Sequence, residues 1–202
     1  MVRLAVSVEG LTEERFIAKV LVPHLLPYQI YVTPLLLGRN GGDVSLSRVK
    51  KDLNQLANSF DKVTTLYDFY GFRGKGNDET KTSLEQKILD VVAAPLRHRV
   101  LPYIQMFEFE GLLFSSPDAM EAAIHEKGVT AWAQSILDDF DGNPEDINNS
   151  EQTAPSKRLL ENTGYIKTVH GPEIAELIGL AALKQRCVGF GAWMEQLENL
   201  HG

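Results

Sequence analysis

The sequence is poor in cysteine and in long apolar runs, and each shortage excludes a class of protein. Only one cysteine, Cys187, occurs among 202 residues, so neither an intramolecular disulfide nor a cysteine-based metal cluster can form. A reducing compartment suits this composition. No apolar run approaches the ~18 residues that span a bilayer, and no basic-then-apolar leader opens the chain. We therefore predict a cytoplasmic protein that does not contact membranes.

Basic residues are also few, with 20 Lys and Arg against 27 Asp and Glu, giving a formal net charge of -7. This balance argues against a stand-alone basic nucleic-acid binder, so any nucleic-acid contact must be local. A P-loop is excluded because no Gly-x-x-x-x-Gly-Lys-Ser/Thr run occurs, so ATP dependence would have to come from another subunit. The five histidines show no His-x-x-x-His spacing, which argues against a zinc site.

The chain does contain alternating strand and helix patterns, which are typical of parallel βαβ units. We predict strands over residues 4–8, 30–37, 62–67 and 100–107, with Thr12 and Asp43 as helix caps. After residue 115 the pattern becomes helical, with a loop over 138–156, a helix restarting at Ser156 and two further helices. This predicts an α/β core over residues 1–115 and a helical region over 116–202 that packs on it.

Acidic residues stand at the predicted ends of three strands, namely Glu9, Asp68 and the pair Glu108 and Glu110. The carboxyl ends of parallel strands form the crevice in which ligands bind. If the segment continues as a strand, alternation places Glu108 and Glu110 on the same cleft; if it turns, only one of them reaches it. Clustered carboxylates repel one another unless a cation or a proton compensates, and oxygen ligands suit Mg²⁺. Glu13, in the first helical turn, fits either this site or simple helix stabilisation.

The first half of the chain resembles the Toprim domain, the metal-dependent phosphoryl-transfer fold of topoisomerases, primases and the overcoming-lysogenization-defect nucleases. In that family a Glu closes the first strand, as Glu9 does here within Glu-Gly-x-Thr-Glu. An Asp-x-Asp closes the third strand, where this chain has Asp68-Phe-Tyr70. One metal ligand of the family is therefore missing. Either Glu108 or Glu110 replaces it, or metal affinity and catalysis are weakened.

The whole chain resembles more closely a bacterial family of unknown function with a Toprim-like core. Its motifs are Glu-Gly-x-Thr-Glu, Asp-Phe-Tyr-Gly-Phe, Glu-Phe-Glu-x-Leu-Leu-Phe and Ser-Lys-Arg-Leu, which begin here at Glu9, Asp68, Glu108 and Ser156. The resemblance implies a nuclease that works beside a partner ATPase, often in anti-phage or mobile-element contexts. The function predicted from it is a Mg²⁺-dependent nuclease or phosphodiester hydrolase, with Mn²⁺ as a possible substitute.

In this hypothesis Glu9 and Asp68 hold the metal, Glu108 and Glu110 complete its shell, and Glu13 positions the attacking water. Three basic residues are candidates to contact the scissile phosphate or the leaving group: Arg73 and Lys75 on a glycine-rich loop, and Lys157 after the acidic loop. Ordinary solvated side chains are the competing interpretation of these three residues.

Two other functions remain open. A catalytically degenerate Toprim-like subunit could regulate or dock onto an ATPase, and both Tyr70 and the acidic composition favour it. A phosphatase of the haloacid-dehalogenase type also uses a strand-end Asp, but its chemistry requires a nucleophilic Asp-x-Asp on the first strand. This chain has Glu9 there.

Overall fold

The computed structural model describes residues 1–148, 150 and 153–200. The strands are β1 (Val2–Val8), β2 (Ile30–Leu36), β3 (Val44–Ser45), β4 (Lys62–Asp68), β5 (Phe72–Arg73), β6 (Val100–Leu101) and β7 (Ile104–Gln105). The central sheet is parallel, in the order β2-β1-β4, with β6 and β7 both pairing with β4 on its other side. A second, two-stranded parallel sheet consists of β3 and β5.

Helices cover both faces of the sheet, and the predicted α/β class is confirmed. They are α1 (Leu11–Phe16), α2 (Val22–Leu25), α3 (Leu46–Ser59), α4 (Lys81–Val91), α5 (Pro117–Ile124), α6 (Val129–Asp138), α7 (Pro155–Asn162), α8 (Lys167–Ile178), α9 (Leu180–Arg186) and α10 (Val188–Glu198). A π-helical turn over Ile17–Leu21 joins α1 to α2, and a 3₁₀ helix over Phe109–Ser115 follows β7. None of the described helices combines the length and apolarity that crossing a membrane requires.

Two hydrophobic clusters hold the layers together. Alternate residues of β1, among them Leu4 and Val6, face a cluster that includes Phe16 and the buried residues of α8 to α10, such as Trp193. Ala5 faces the opposite cluster, which α3 and α4 cover. The alternation follows from the two-residue period of a strand buried on both sides. The helices beyond residue 115 thus share one apolar cluster with β1 and α1, while the domain boundary itself stays a prediction.

Both predicted helix caps are wrong. Gly10 precedes α1, and Thr12 lies within its first turn as a buried residue. Asp43 has a φ of 45°, in the left-handed region, and the chain continues through β3 to Ser45, which precedes α3. The two-residue strand β3 pairs with β5, so tertiary pairing displaced the helix start by two residues.

The predicted fourth strand is divided. β6 and β7 are two short strands, and Pro102 lies between them, where it cannot donate a ladder hydrogen bond. Three helices, α8 to α10, end the described chain where two were predicted, because Gly179 separates α8 from α9 with a φ of 78°.

Candidate active site

The carboxyl ends of β1 and β4 lie side by side, because Val8 of β1 pairs with Leu66 of β4 in parallel register. Glu9 follows β1 directly, and Asp68 is the last residue of β4. Glu13 lies in the first turn of α1, where it is 8% exposed. The predicted strand-end acids are therefore brought to the same edge of the sheet, as the topology of a parallel sheet requires.

Two glycines lie next to Glu9, one at its main chain and one at its carboxylate. The Gly42 amide donates to the Glu9 carbonyl at 2.7 Å. A Cβ on Gly71 would lie 2.5 Å from Glu9 Oε2 and 2.6 Å from Oε1, so the glycine of the Asp-Phe-Tyr-Gly-Phe motif makes room for this carboxylate. Oε2 is buried without a hydrogen-bond partner among the described residues. A buried carboxylate oxygen of this kind is costly unless a ligand satisfies it.

Glu108 and Glu110 follow a turn, so of the two alternatives for this segment the structure has the turn and not the continued strand. Phe107 has a φ of 59°, an uncommon conformation for an aromatic residue, and it ends the extended segment just before Glu108. Glu108 then precedes the 3₁₀ helix Phe109–Ser115, which carries Glu110 in its first turn. The reversal lets the Phe109 amide donate to Asp68 Oδ1 at 2.8 Å.

Glu108 accepts a hydrogen bond from the start of α7. The Ser156 amide, in the first turn of α7, donates to Glu108 Oε2 at 2.8 Å. A helix N-terminus favours a carboxylate electrostatically. The Ser-Lys-Arg-Leu motif therefore contacts the Glu-Phe-Glu motif, although 48 residues separate Glu108 from Ser156.

Glu110 is 2% exposed, and it forms the ion pair that joins the carboxylate cluster to Lys167. Lys167 Nζ, on the first residue of α8, lies 3.2 Å from Glu110 Oε1. The Tyr165 hydroxyl donates to the same oxygen at 3.4 Å. α8 comes close because Gly171 packs against Thr12 of α1, where a Cβ would lie 2.9 Å from Thr12 Cγ2.

Lys167 and Tyr165 are absent from the residues predicted from the sequence. One local signal marks Lys167: a cation in the first turn of a helix opposes the helix dipole, so the position is unfavourable unless acids face it. Nothing in the spacing of the chain connects this residue to Glu110, which precedes it by 57 positions. The contact depends on the packing of α8 against α1.

Burial and mutual repulsion raise the pKa values of the clustered carboxylates. Burial raises the pKa of Glu9 and of Glu13, and it raises that of Asp68 well above its usual range, with Glu9 and Glu13 adding to the Asp68 shift. Burial raises the pKa of Glu110 to about 7, although Lys167 opposes the rise. Burial lowers the pKa of Lys167, but its acidic neighbours outweigh burial and the net shift is upward. The site therefore holds an excess of negative charge.

The donor set suits a hard divalent cation. Five acids form the cluster and offer carboxylate oxygens: Glu9, Glu13, Asp68, Glu108 and Glu110. Glu9 Oε2 is buried without a hydrogen-bond partner among the described residues. Burial and the negative charges of the other four acids raise the pKa of Asp68. Within residues 1–148, 150 and 153–200, no three His, Cys, Asp or Glu side chains form a preformed metal-binding group. Mg²⁺ commonly uses one or two carboxylates and several waters, so these residues fit Mg²⁺ in chemistry.

The three predicted basic residues differ in their contacts. Arg73 is exposed and forms an ion pair with Asp43 at 2.5 Å. Lys75 donates to the carbonyls of Tyr70 and Phe72 at 3.3 and 3.4 Å. Lys157 is exposed on α7, one residue after Ser156. Arg73 thus pairs with an acid of the loop before β3, Lys75 bonds within its own loop, and the roles predicted for all three residues stay predictions.

Tyr70 occupies the place of the second acid of Asp-x-Asp. Its hydroxyl donates to Asn148 Oδ1, and its ring lies against Phe107 with centroids 5.4 Å apart. Glu108 and Glu110 come after Phe107, so these two acids of the cluster come from the start of the 3₁₀ helix and not from the position of Tyr70.

The raised pKa of Glu110 predicts that stability falls with increasing pH. A carboxyl whose pKa is about 7 in the folded chain and about 4.5 when unfolded binds its proton more tightly when folded. The free energy of unfolding therefore decreases from about pH 4.5 to about pH 7, by ~3 kcal/mol for this group. Urea unfolding of metal-free protein between pH 5 and pH 8 measures the trend, and Glu110→Gln should reduce it.

Glu14→Gln is the matched control, since Glu14 lies in the same turn as Glu13 yet contributes to none of the perturbed groups. This variant should retain the wild-type dependence on pH. Stability that stays level or increases from pH 5 to pH 8 in the wild type would contradict the electrostatic description of the site.

Comparison with solved structures supports the fold. The chain is similar to the solved C-terminal region of the Burkholderia pseudomallei OLD protein, with a TM-score of 0.51 and 14% sequence identity, over 98% of this chain and 99% of that chain. At this identity the similarity shows the fold alone. No curated protein matches the chain.

A family model described as Domain of unknown function (DUF4276) matches residues 8–198, from the end of β1 to the end of α10. The resemblance to a family of unknown function with a Toprim-like core is confirmed. The chain belongs to the DUF4276 family.

Proposed function

We propose that this protein is a divalent-metal-dependent phosphodiester hydrolase that acts as a nuclease. The observation that carries the proposal is the buried carboxylate cluster at the carboxyl ends of β1 and β4. Among the described residues, Glu9 Oε2 has no hydrogen-bond partner, and Lys167 forms an ion pair with Glu110 at the margin of the cluster. The fold shared with the C-terminal region of the OLD protein supports it, because the similarity spans nearly all of both chains.

Glu9 and Asp68 would hold the metal, Mg²⁺ or Mn²⁺. Glu9 offers its unpartnered oxygen, and Asp68 keeps Oδ2 because the Phe109 amide occupies Oδ1. Glu108 likewise keeps Oε1, and Glu110 keeps Oε2, to complete the shell directly or through water. When bound, such a cation polarises a phosphate and lowers the pKa of a water molecule.

The remaining residues have separate roles. Glu13, beside Glu9, would orient the attacking water and accept its proton, because its raised pKa makes it a better base than an ordinary carboxylate. Lys167 stays protonated because its pKa is raised, so it contributes charge to the phosphate and does not supply a proton. Glu110 holds the Lys167 side chain in place, and the Tyr165 hydroxyl in turn donates to Glu110.

A partner ATPase is part of the proposal. No P-loop run occurs in the sequence, and the resemblance of its motifs implies a family that works beside an ATPase. The similar solved structure is itself the C-terminal region of a protein. We expect the ATPase to control access of nucleic acid to the site, because the net charge of -7 gives poor intrinsic affinity for a polyanion. The proposed context is defence against phage or mobile elements.

A degenerate docking subunit is the second candidate. Tyr70 stands where the Toprim pattern has its second acid, and no preformed group of three metal-ligating side chains exists among the described residues. In that case the cluster would bind Mg²⁺ weakly, and the protein would change the activity of its ATPase without cleaving nucleic acid.

Removing either proposed metal ligand separates the two candidates. Glu9→Gln and Asp68→Asn should each lower cleavage of plasmid, single-stranded DNA or RNA by about 100-fold or more, because a metal supplies several kcal/mol of stabilisation. Calorimetry should show a parallel loss of Mg²⁺ or Mn²⁺ affinity. Each cleavage assay is carried out with and without the ATPase. Glu14→Gln, which removes one negative charge from the same helical turn as Glu13, is the control.

Wild-type protein that binds Mg²⁺ yet cleaves none of these substrates, with the ATPase present, would favour the docking subunit. Cleavage that survives both substitutions, or that persists in EDTA, would contradict the proposed metal site.

Lys167 should matter for the rate and not for metal binding. Lys167→Met should lower cleavage by about 100- to 1,000-fold while the calorimetric affinity for Mg²⁺ stays equal or increases, since the variant removes a competing cation. Lys19→Met, which removes an exposed ion pair with Glu176 of α8, is the control and should be active. A larger loss in Lys157→Met than in Lys167→Met would assign the phosphate contact to Lys157 instead.

Gly71 provides a test that leaves every charge in place. Gly71→Ala should displace the Glu9 carboxylate, because its Cβ would lie 2.5 Å from Oε2, while the flexible end of Glu9 can move without unfolding the chain. We expect a melting temperature within a few degrees of wild type and cleavage as low as in Glu9→Gln. Gly76→Ala, whose Cβ would meet nothing within 4 Å, is the control. Full activity in Gly71→Ala would show that the position of Glu9 is not critical.

A further inference from the structure

A cavity of about 360 Å³ lies between α4, α10 and the segment that joins β6 to β7. One face of α4 and one face of α10 form its walls, through Lys81, Glu85, Gln86 and Leu89 on the first helix and Gly189, Ala192, Trp193 and Gln196 on the second. None of the five clustered acids lines it. An adjoining cavity of about 550 Å³ shares Leu101, Ala192 and Gln196 and extends it along α10.

Lys81 is the unusual residue of this cavity. Its ammonium nitrogen is buried without a hydrogen-bond partner in the described part of the chain. The Tyr103 ring covers one side of the ammonium, with its centroid 3.9 Å from Nζ. Burial lowers the pKa of Lys81, as expected for a cation that lacks an acceptor. The ammonium therefore has N–H donors that no acceptor in the described part of the chain satisfies, and a ligand oxygen could accept from them.

The two neighbouring carboxylates are engaged elsewhere. Glu85 Oε1 lies 3.8 Å from Lys81 Nζ, beyond hydrogen-bond distance, and accepts the Ile104 amide at 3.0 Å. Glu145 accepts the amides of Gly189 and Phe190, at 2.7 and 3.0 Å, at the start of α10. Each acid therefore serves a main-chain donor, and the ammonium still lacks an acceptor.

Gly189 keeps the space around Lys81 open. A Cβ at this position would lie 3.4 Å from Lys81 Nζ and 2.9 Å from Glu145 Oε1. The cavity volume lies within the range of small-molecule sites, and its lining combines apolar side chains with a few polar groups, as such sites usually do.

We propose that this cavity binds a small molecule that carries an oxyanion, either a phosphate or a carboxylate, and that Lys81 recognises the oxyanion. The ligand oxygen approaches the side of the ammonium that Tyr103 leaves free, and the remainder of the molecule lies against Leu101, Ala192 and Gln196. This inference is independent of the proposed nuclease activity, since it involves none of the residues of that site.

Metal-free protein in Tris chloride is titrated with inorganic phosphate, AMP and succinate, each to about 10 mM, by thermal shift and calorimetry. The phosphate and carboxylate probes distinguish the two sources of the oxyanion. We expect at least one probe to bind saturably. Lys81→Met should weaken that binding by about tenfold or more, since it removes a charged hydrogen-bond donor.

Three further variants control the result. Lys87→Met changes a lysine of the same helix that pairs with Glu79 outside the cavity, and Lys167→Met tests whether the probe binds at the carboxylate cluster; both should bind as wild type. Ala192→Phe fills the shared part of the two cavities and should abolish binding with Lys81 intact, which keeps the test valid if Lys81→Met folds poorly.

Without ligand, Lys81→Met should melt at or above the wild-type temperature, because it removes a buried ammonium that has only a long ion pair with Glu85 and no hydrogen-bond acceptor in the described part of the chain. No binding of any probe, or equal binding in Lys81→Met and wild type, would overturn the proposal, and solvent would then be the occupant of the cavity.

Discussion

Mutual repulsion among carboxylates at the ends of β1 and β4 is the constraint that the neighbouring elements accommodate. Glu9, Glu13 and Asp68 each have a raised pKa, with burial as the main cause, and Glu110 reaches about 7. Only part of this charge is offset inside the fold, by Lys167 and by main-chain amides. Retaining such a cluster costs folding stability, so its presence is best explained by a cation that binds there.

Each supporting element relieves one part of that repulsion. The 3₁₀ helix after Glu108 donates an amide to Asp68, and the start of α7 donates one to Glu108. Lys167 of α8 contacts Glu110 because Gly171 allows α8 to pack closely on α1. The helices beyond residue 115 therefore do more than cover an apolar face, since two of them supply groups that the strand-end acids contact.

The sequence was sufficient to predict the parallel sheet and the meeting of Glu9 with Asp68, because strand ends in a parallel sheet converge by topology. It was not sufficient for features that depend on packing over long separations. Lys167 lies 57 residues from Glu110, and no periodicity connects them. A turn before Glu110 was one of two alternatives, but its position at Phe107 could not be derived, because an aromatic residue at positive φ contradicts local preference and is selected by its surroundings. Ser45 starts α3 because of the β3 and β5 pairing, which neither short segment indicates alone.

The central claim is that Glu9 and Asp68 bind one divalent cation, and anomalous diffraction from crystals soaked in Mn²⁺ tests it most directly. The account predicts an anomalous peak in contact with a carboxylate oxygen of Glu9 and one of Asp68, with bond lengths of about 2.0 to 2.2 Å for a small divalent ion of the Mg²⁺ class. A well-ordered site at which Lys167 or water alone occupies this space at saturating Mn²⁺, or a peak confined to other residues, would contradict it.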